Sequence, residues 1–83
     1  MFQMKLSNRA RKDLKRLDKR FLPKVSQSID ALVTNPFLGE KMSGEYAGSY
    51  RVKIPPIRII YSVNFESKIV SIKTVGHRGN IYK

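Results

Sequence analysis

The fold is decided by residues 50–82, which have the sequence YRVKIPPIRIIYSVNFESKIVSIKTVGHRGNIY. This stretch contains three runs rich in β-branched and aromatic residues, at 50–54, 57–63 and 68–75. Pro55 and Pro56 separate the first two runs, because proline cannot continue a ladder of strand hydrogen bonds. A turn around residues 64–67 separates the last two. We therefore expect three strands of one antiparallel sheet, the last of which is closed by Gly76.

The cations of this stretch recur at intervals that bring them together. Side chains alternate between the two faces of a strand, so Arg51 and Lys53 should share an exposed face. Val52 and Ile54 should enter the core. Tyr61 lies inside an apolar run and is expected in the core, with its hydroxyl at the surface. Six residues should meet on neighbouring strands or at their ends: Arg51, Lys53, Arg58, His77, Arg78 and Tyr82.

The residues upstream predict a short strand followed by two helices. Residues 2–6 alternate in polarity and should form a strand at the sheet edge, or one paired with the strand before Pro55. Ser7 is suited to cap a helix whose apolar residues recur at helical spacing. These residues are Ala10, Leu14, Leu17 and Phe21. A second helix should have Pro23 in its first turn and end before Asn35.

The first helix is amphipathic and strongly basic. Seven cations surround its apolar stripe: Arg9, Arg11, Lys12, Lys15, Arg16, Lys19 and Arg20. A solvated outer face is the commoner role for such cations, and direct contact with RNA is the alternative.

The predicted element order is β-α-α-β-β-β. Residues 37–49 contain three glycines and are expected to form a loop that leads into the sheet. The apolar stripes of a helical hairpin need a sheet to cover. We therefore expect an α+β fold in which the hairpin packs on one face of a mainly antiparallel sheet, as one domain over residues 1–83.

The net charge of the chain indicates which class of partner it binds. Seventeen Lys and Arg against six Asp and Glu give a net charge of +11, which favours polyanions through phosphate neutralisation and counterion release. The charge is uneven, being +7 over residues 1–24, −2 over 25–45 and +6 over 46–83. Two basic surfaces separated by a nearly neutral segment are expected.

Composition also argues against several kinds of site. The chain has no cysteine, so disulfides, thiolate metal sites and cysteine nucleophiles are excluded. With one histidine and six carboxylates, neither a metal centre nor another cofactor is expected. No segment approaches the roughly 20 apolar residues that span a bilayer. A soluble cytoplasmic protein without a membrane partner is expected, with a shallow groove for any active site.

Three segments and the element order resemble a known family. The segments are SGEYAGSYRVK at residues 43–53, IRIIY at 57–61 and VGHRGNIY at 75–82. Together they look like the RelE/ParE superfamily of toxin–antitoxin toxins, on the RelE side, and the similarity covers essentially the whole chain. The resemblance implies the RelE-like microbial RNase fold.

The resemblance also implies a function and a site. RelE-type toxins are endoribonucleases that cleave mRNA, typically in the ribosomal A site, and a cognate antitoxin holds them inactive. The catalytic residues implied by the match are Lys53, Arg58, Arg78 and Tyr82. The RNA-binding residues are expected to be Arg51, Lys53, Arg58 and His77, with His77 structural or accessory.

Metal-independent RNA cleavage fits these residue types. Lys53 would act as the general base or electrostatic partner of the 2′-hydroxyl, while Arg51 and Arg58 hold the phosphate. Arg78 would stabilise the leaving 5′-oxygen and donate a proton to it, a role that comes from the resemblance. Tyr82 would stack on a base or orient the 2′-hydroxyl. The products would be a 2′,3′-cyclic phosphate and a 5′-hydroxyl.

Two alternative functions also fit the sequence. A ParE-like toxin shares the fold but acts on DNA gyrase, and a non-catalytic RNA-binding module would share the charge. In either toxin class the expected partner is an acidic, partly disordered antitoxin that folds on binding. The apolar stripe of the first helix and the sheet edges are its expected docking surfaces.

Overall fold

Two helices lie on one face of a five-stranded sheet in the computed structural model, which describes residues 1–77. The helices are α1 (Asn8–Arg16) and α2 (Leu22–Thr34). The strands are β1 (Gln3–Leu6), β2 (Glu40–Lys41), β3 (Ser49–Ile54), β4 (Ile57–Asn64) and β5 (Ile69–His77). Their order is β1-β5-β4-β3-β2. Only the β1–β5 pair is parallel, so the expected mainly antiparallel α+β sheet is confirmed.

Helix α1 begins where its cap is bound to the sheet. The Ser7 Oγ accepts from the Ala10 N–H at 2.9 Å and donates to the Lys73 carbonyl at 2.8 Å, so one hydroxyl caps the helix and attaches it to β5. One turn of helix further on, the Asp13 carboxylate accepts from the Val75 N–H at 3.1 Å. These bonds fix the height of α1 along the strand beneath it.

Helix α2 has the predicted boundaries. Pro23 lies in its first turn, where a missing N–H costs nothing, and the helix ends at Thr34. The Asn35 Oδ1 then accepts from the Phe37 N–H at 3.1 Å, which starts a short 3₁₀ turn at Pro36–Leu38.

The core lies between the helices and the sheet. Its buried members are Ala10, Leu17, Val25, Ile29, Leu32, Ile57, Ile59, Tyr61, Val70, Ile72 and Val75. Val52 and Ile54 pack against this cluster, as their alternation predicted. Because Ala10 and Leu17 are buried within the chain itself, the apolar stripe of α1 is not an exposed docking surface. That expectation for the antitoxin was wrong.

Three segments depart from the predicted boundaries. The first helix ends at Arg16 instead of continuing to Phe21, and residues 19–21 form a separate 3₁₀ turn. The expected loop at residues 37–49 contains the two-residue strand β2, which pairs with β3. Strand β5 is not closed by Gly76, since it continues to His77, which lies opposite Ile57. Strand β1 lies at the sheet edge as expected, beside β5 rather than beside the strand before Pro55.

Tyr61 is buried more deeply than its sequence context suggested. Its hydroxyl donates to the Pro36 carbonyl at 2.7 Å and accepts from the Gly39 N–H at 2.9 Å. The expectation of a surface hydroxyl was therefore wrong, although the ring is in the core. Burial raises the pKa of the Tyr61 phenol above its usual value of 10.0. A Cβ at residue 39 would lie 2.5 Å from the Tyr61 oxygen, so the contact requires glycine there.

Candidate functional site

Three of the predicted cations meet on the face of the sheet that the helices leave uncovered. We call this the open face and define it by Arg51, Lys53, Arg58 and Ile60. Lys53 lies directly opposite Arg58 in the β3–β4 register, and Arg51 lies opposite Ile60. Such antiparallel pairs hold their Cβ atoms about 4.5–5.5 Å apart. The short turn at Pro55 and Pro56 sets this register.

Alternation explains why these cations are separated from the core. Val52 and Ile59, which lie opposite each other in the same two strands, pack on the helix side. Their neighbours in sequence must project from the other side. The side chain of Arg51 is 29% exposed and that of Lys53 is 43% exposed. Ile60 between them is only 2% exposed, which gives the cluster an apolar base.

A carboxylate that the sequence did not reveal also belongs to this cluster. Glu40 in β2 lies opposite Arg51, and its Oε2 is 3.4 Å from the Arg51 Nη2. Its other oxygen, Oε1, is 3.7 Å from the Lys53 Nζ. One acid therefore bridges two of the cations. Nothing in the sequence distinguished Glu40 from Glu45 in the same segment, because a two-residue strand has no readable periodicity.

A shallow depression adjoins the Lys53–Arg58 pair. It has a volume of about 220 Å³ and is lined by Lys53, Pro55, Pro56, Ile57 and Arg58. Its surface is almost entirely apolar, so the prolines, Ile57 and the aliphatic stems of the two cations line it. Its size and composition suit the base or ribose of one nucleotide whose phosphate contacts Lys53 or Arg58.

His77 does not join the open-face cations. It lies opposite the buried Ile57, and its ring contacts Phe21 edge to face with 6.2 Å between centroids. Both contacts are on the helix side of the sheet. His77 there lines a cleft of about 470 Å³ between α1 and the end of β5. Arg78 and Tyr82, the remaining predicted site residues, lie outside the described residues.

The described residues also bear on metal binding and on membrane insertion. Among residues 1–77, no group of three or more His, Cys, Asp or Glu side chains could hold a metal ion. No helix in that range is both long and apolar enough to cross a bilayer. A further cation of the sheet, Lys73, forms a hydrogen bond within the protein: its Nζ donates to the Ser49 Oγ at 2.8 Å.

Known proteins resemble this chain along nearly its whole length. A family model described as the ParE toxin of the type II toxin–antitoxin system parDE matches residues 4–82. A curated relative from Methanocaldococcus jannaschii, named "Putative toxin RelE1", is 35% identical over 86 residues, covering 99% of this chain and 96% of the relative.

Two solved structures have the same architecture. One is the toxin–antitoxin complex RelBE2 from Mycobacterium tuberculosis, with a TM-score of 0.85 and 28% identity over 93% of this chain and 98% of that one. The other is the archaeal RelE–RelB complex from Pyrococcus horikoshii, with a TM-score of 0.80 and 26% identity over 95% of this chain and 97% of that one.

Proposed function

This chain belongs to the RelE/ParE superfamily of toxins from type II toxin–antitoxin systems, and we propose that it is a metal-independent endoribonuclease that cleaves mRNA in the ribosomal A site. The observation that carries the proposal is the pairing of Lys53 with Arg58, with Arg51 on the same face. Cations held on a rigid sheet are preorganised for a phosphate that gains negative charge during the reaction.

The reaction requires a proton to leave the 2′-hydroxyl, the 2′-oxygen to bond to phosphorus, and the bond from phosphorus to the 5′-oxygen to break. Lys53 serves as the base or electrostatic partner of the 2′-hydroxyl, while Arg51 and Arg58 neutralise the phosphate. Arg78 stabilises the leaving oxygen and supplies its proton, and Tyr82 stacks on a base or orients the 2′-hydroxyl. The products are a 2′,3′-cyclic phosphate and a 5′-hydroxyl.

Glu40 must give way for the phosphate to bind. Its carboxylate occupies the positions beside Arg51 and Lys53 that phosphate oxygens would take. An exposed ion pair of this kind contributes only about 0.2–1 kcal/mol, so a phosphate that contacts three cations can displace it. Glu40 therefore weakens the binding of every anion slightly, and a polymer that makes several contacts at once tolerates this loss best.

The proposed partner is a cognate antitoxin. The similar M. tuberculosis and P. horikoshii structures are both complexes of toxin with antitoxin. An acidic, amphipathic antitoxin segment would neutralise the open face and compete there with RNA in the cytoplasm. A purified complex should then cleave ribosome-bound mRNA far more slowly than the free toxin. Equal rates, or a co-purifying partner that is basic throughout, would contradict this inhibition model.

A second candidate function follows from the matched family model, which is described as a ParE toxin. ParE-like inhibition of DNA gyrase would need no open-face cluster of cations. A gyrase supercoiling assay with the purified chain tests this candidate directly. Inhibition of supercoiling without mRNA cleavage would favour it over the ribonuclease.

Inducible expression of the chain tests the main proposal, first alone and then with the protein encoded by the neighbouring gene. The expected result is growth arrest with mRNA cut within the reading frame, relieved by the neighbour. Growth arrest with intact mRNA would reject the ribonuclease. Strong RNA binding without arrest or cleavage would instead indicate a non-catalytic module.

A further inference from the structure

A second cationic site lies on the helix side of the molecule, in the cleft between α1 and the end of β5. Its rim carries Arg9, Lys12 and Arg16 from α1 and His77 from β5, and its floor includes Leu17 and Val75. Its volume of about 470 Å³ is within the usual range for ligand sites. An apolar floor under a cationic rim suits a nucleotide, whose base is apolar on its faces and whose phosphate is anionic.

The two acids at the cleft are already engaged. Asp13 accepts a hydrogen bond from the Val75 N–H, and the Arg9 Nε is 4.0 Å from the same carboxylate oxygen. Asp18 caps the following 3₁₀ turn through the Arg20 N–H and forms an ion pair with the Arg20 side chain at 3.3 Å. Both carboxylates therefore have structural roles.

Two of the rim cations, by contrast, are available to a ligand. Lys12 and Arg16 are exposed and form no ion pair within residues 1–77. They are four residues apart on α1, so they project from the same side of the helix. Two such cations repel each other. A phosphate bound between them would reduce this repulsion and would be attracted by both.

One residue of β5 connects the cleft with the open face. Gly76 lines the cleft, and it lies directly opposite Arg58 in the β4–β5 register. The proposed cleavage site and the cleft are thus separated by the width of one pair of strands. An RNA that contacts Arg58 therefore lies one strand away from the cleft.

We propose that the α1–β5 cleft binds the sugar–phosphate backbone of RNA, with Lys12 and Arg16 on phosphates and His77 against a base. The inference rests on the proposed function, since it extends the RNA contact beyond the cleavage site. The RNA is either the flanking part of the cleaved message or ribosomal RNA, because both present the same phosphates and unstacked bases.

A pair of matched double variants tests the proposal. Lys12→Ala with Arg16→Ala removes two cations from the cleft. Arg11→Ala with Lys15→Ala removes two exposed cations of the same spacing from the same helix, and neither of these residues lines the cleft. Both variants lose equal charge, and alanine supports the helix in both. Thermal melting should show that both remain folded.

Binding is measured with a twelve-nucleotide RNA that carries 2′-O-methyl groups and cannot be cleaved, over a range of salt concentrations. The cleft variant should bind about tenfold more weakly than the control variant at physiological salt, with a salt slope lower by about 1.4, as expected for two lost single-strand phosphate contacts. A normal affinity for this RNA, combined with a similar loss of affinity for empty ribosomes, would identify ribosomal RNA as the ligand.

Equal affinities of the two variants for both the oligonucleotide and the ribosome would overturn the proposal, since diffuse charge would then explain the binding. A loss of antitoxin binding alone would also overturn it, in favour of a protein ligand. The cleavage activity of the unsubstituted chain separates the two levels of the account. If that chain cleaves mRNA while both variants bind RNA equally, only this inference fails; if it does not cleave, the proposed function fails whatever the cleft binds.

Discussion

The same strands form both faces of the sheet, but one face packs in the core and the other carries the candidate site. On the helix face, Val52 and Ile59 are apolar and packed under α1 and α2. On the open face, the next residue of each strand belongs to the candidate site, as Lys53 and Ile60 do. Alternation lets a chain of 83 residues place a core and a candidate site back to back. Substitutions on the helix face should therefore affect folding, and those on the open face should affect activity.

The sharpest test of this separation introduces an acid on each face. Ile59→Asp buries an unpaired charge in the core and should cost more than about 4 kcal/mol, enough to unfold a small domain. Lys53→Asp places the same carboxylate on the open face and should leave the protein folded but inactive. Circular dichroism melts test whether each variant is folded, and cleavage of ribosome-bound mRNA tests the activity of Lys53→Asp. A soluble Ile59→Asp protein that melts cooperatively would show that the strand faces are assigned wrongly.

The open face should respond in activity without a change in stability. Arg58→Ala removes a cation that we propose to bind the phosphate, and it should slow cleavage of ribosome-bound mRNA by about 10²–10³-fold. The free energy of unfolding should change by no more than about 0.5 kcal/mol, because the side chain leaves no cavity in the core. Lys24→Ala removes one exposed cation from α2, on the other side of the sheet; it provides the control and should retain most activity. Equal losses in the two variants would point to general charge rather than to a site.

On the helix face, the Tyr61 phenol should make the free energy of unfolding depend on pH. Its raised folded pKa means that the native state holds the phenol proton more tightly than the unfolded chain. The contribution of this phenol to the free energy of unfolding is therefore fully present below its pKa in the unfolded chain, about 10. It is lost as the pH rises through the pKa of the folded protein. Tyr61→Phe should remove this alkaline loss and cost about 1–3 kcal/mol at neutral pH, because it leaves Gly39 N–H and the Pro36 carbonyl unpaired.

Tyr50→Phe is the matched control for this measurement. Its ring stacks on Tyr61 with 5.3 Å between centroids, and phenylalanine keeps that contact. Urea unfolding of both variants across neutral and alkaline pH separates the hydroxyl from the ring. The same pH dependence in the wild type and Tyr61→Phe would show that another group controls alkaline stability.

The smallest expected effect concerns Glu40. Glu40→Gln keeps the shape of the side chain but releases Arg51 and Lys53 from their shared anion. RNA affinity should rise by up to about fivefold, since an exposed ion pair contributes at most about 1 kcal/mol. Glu66→Gln in the β4–β5 turn removes the same charge far from the cluster and should have less effect. An equal rise in both variants would remove any special role for Glu40.

The separation of the faces was predictable from the sequence because strand periodicity and a two-proline turn together determine it. With Pro55 and Pro56 as the whole turn, Lys53 must fall opposite Arg58, and the alternation on either side follows. The start of the first helix and both ends of the second were predictable for a similar reason, since Ser7, Pro23 and Asn35 mark them. The end of the first helix at Arg16 was not predictable, because its apolar spacing continues to Phe21.

Features that depend on chain segments meeting in three dimensions were not predictable. Strand β2 exists because residues 40 and 41 meet the edge of β3, and Glu40 reaches the cations only through that pairing. The hydrogen bonds of the Tyr61 hydroxyl come from Pro36 and Gly39, more than 20 residues away in sequence. His77 was expected near the cations, yet the continuation of β5 past Gly76 sets its side chain on the helix face.

The most direct test of the account is single-turnover cleavage of ribosome-bound mRNA by the wild-type toxin and by a Lys53→Ala, Arg58→Ala double variant, with analysis of the product ends. We expect the wild type to leave a 2′,3′-cyclic phosphate and a 5′-hydroxyl. The double variant should melt like the wild type and leave the message intact. Cleavage by the folded double variant at the wild-type rate would contradict the assignment of the reaction to the open face.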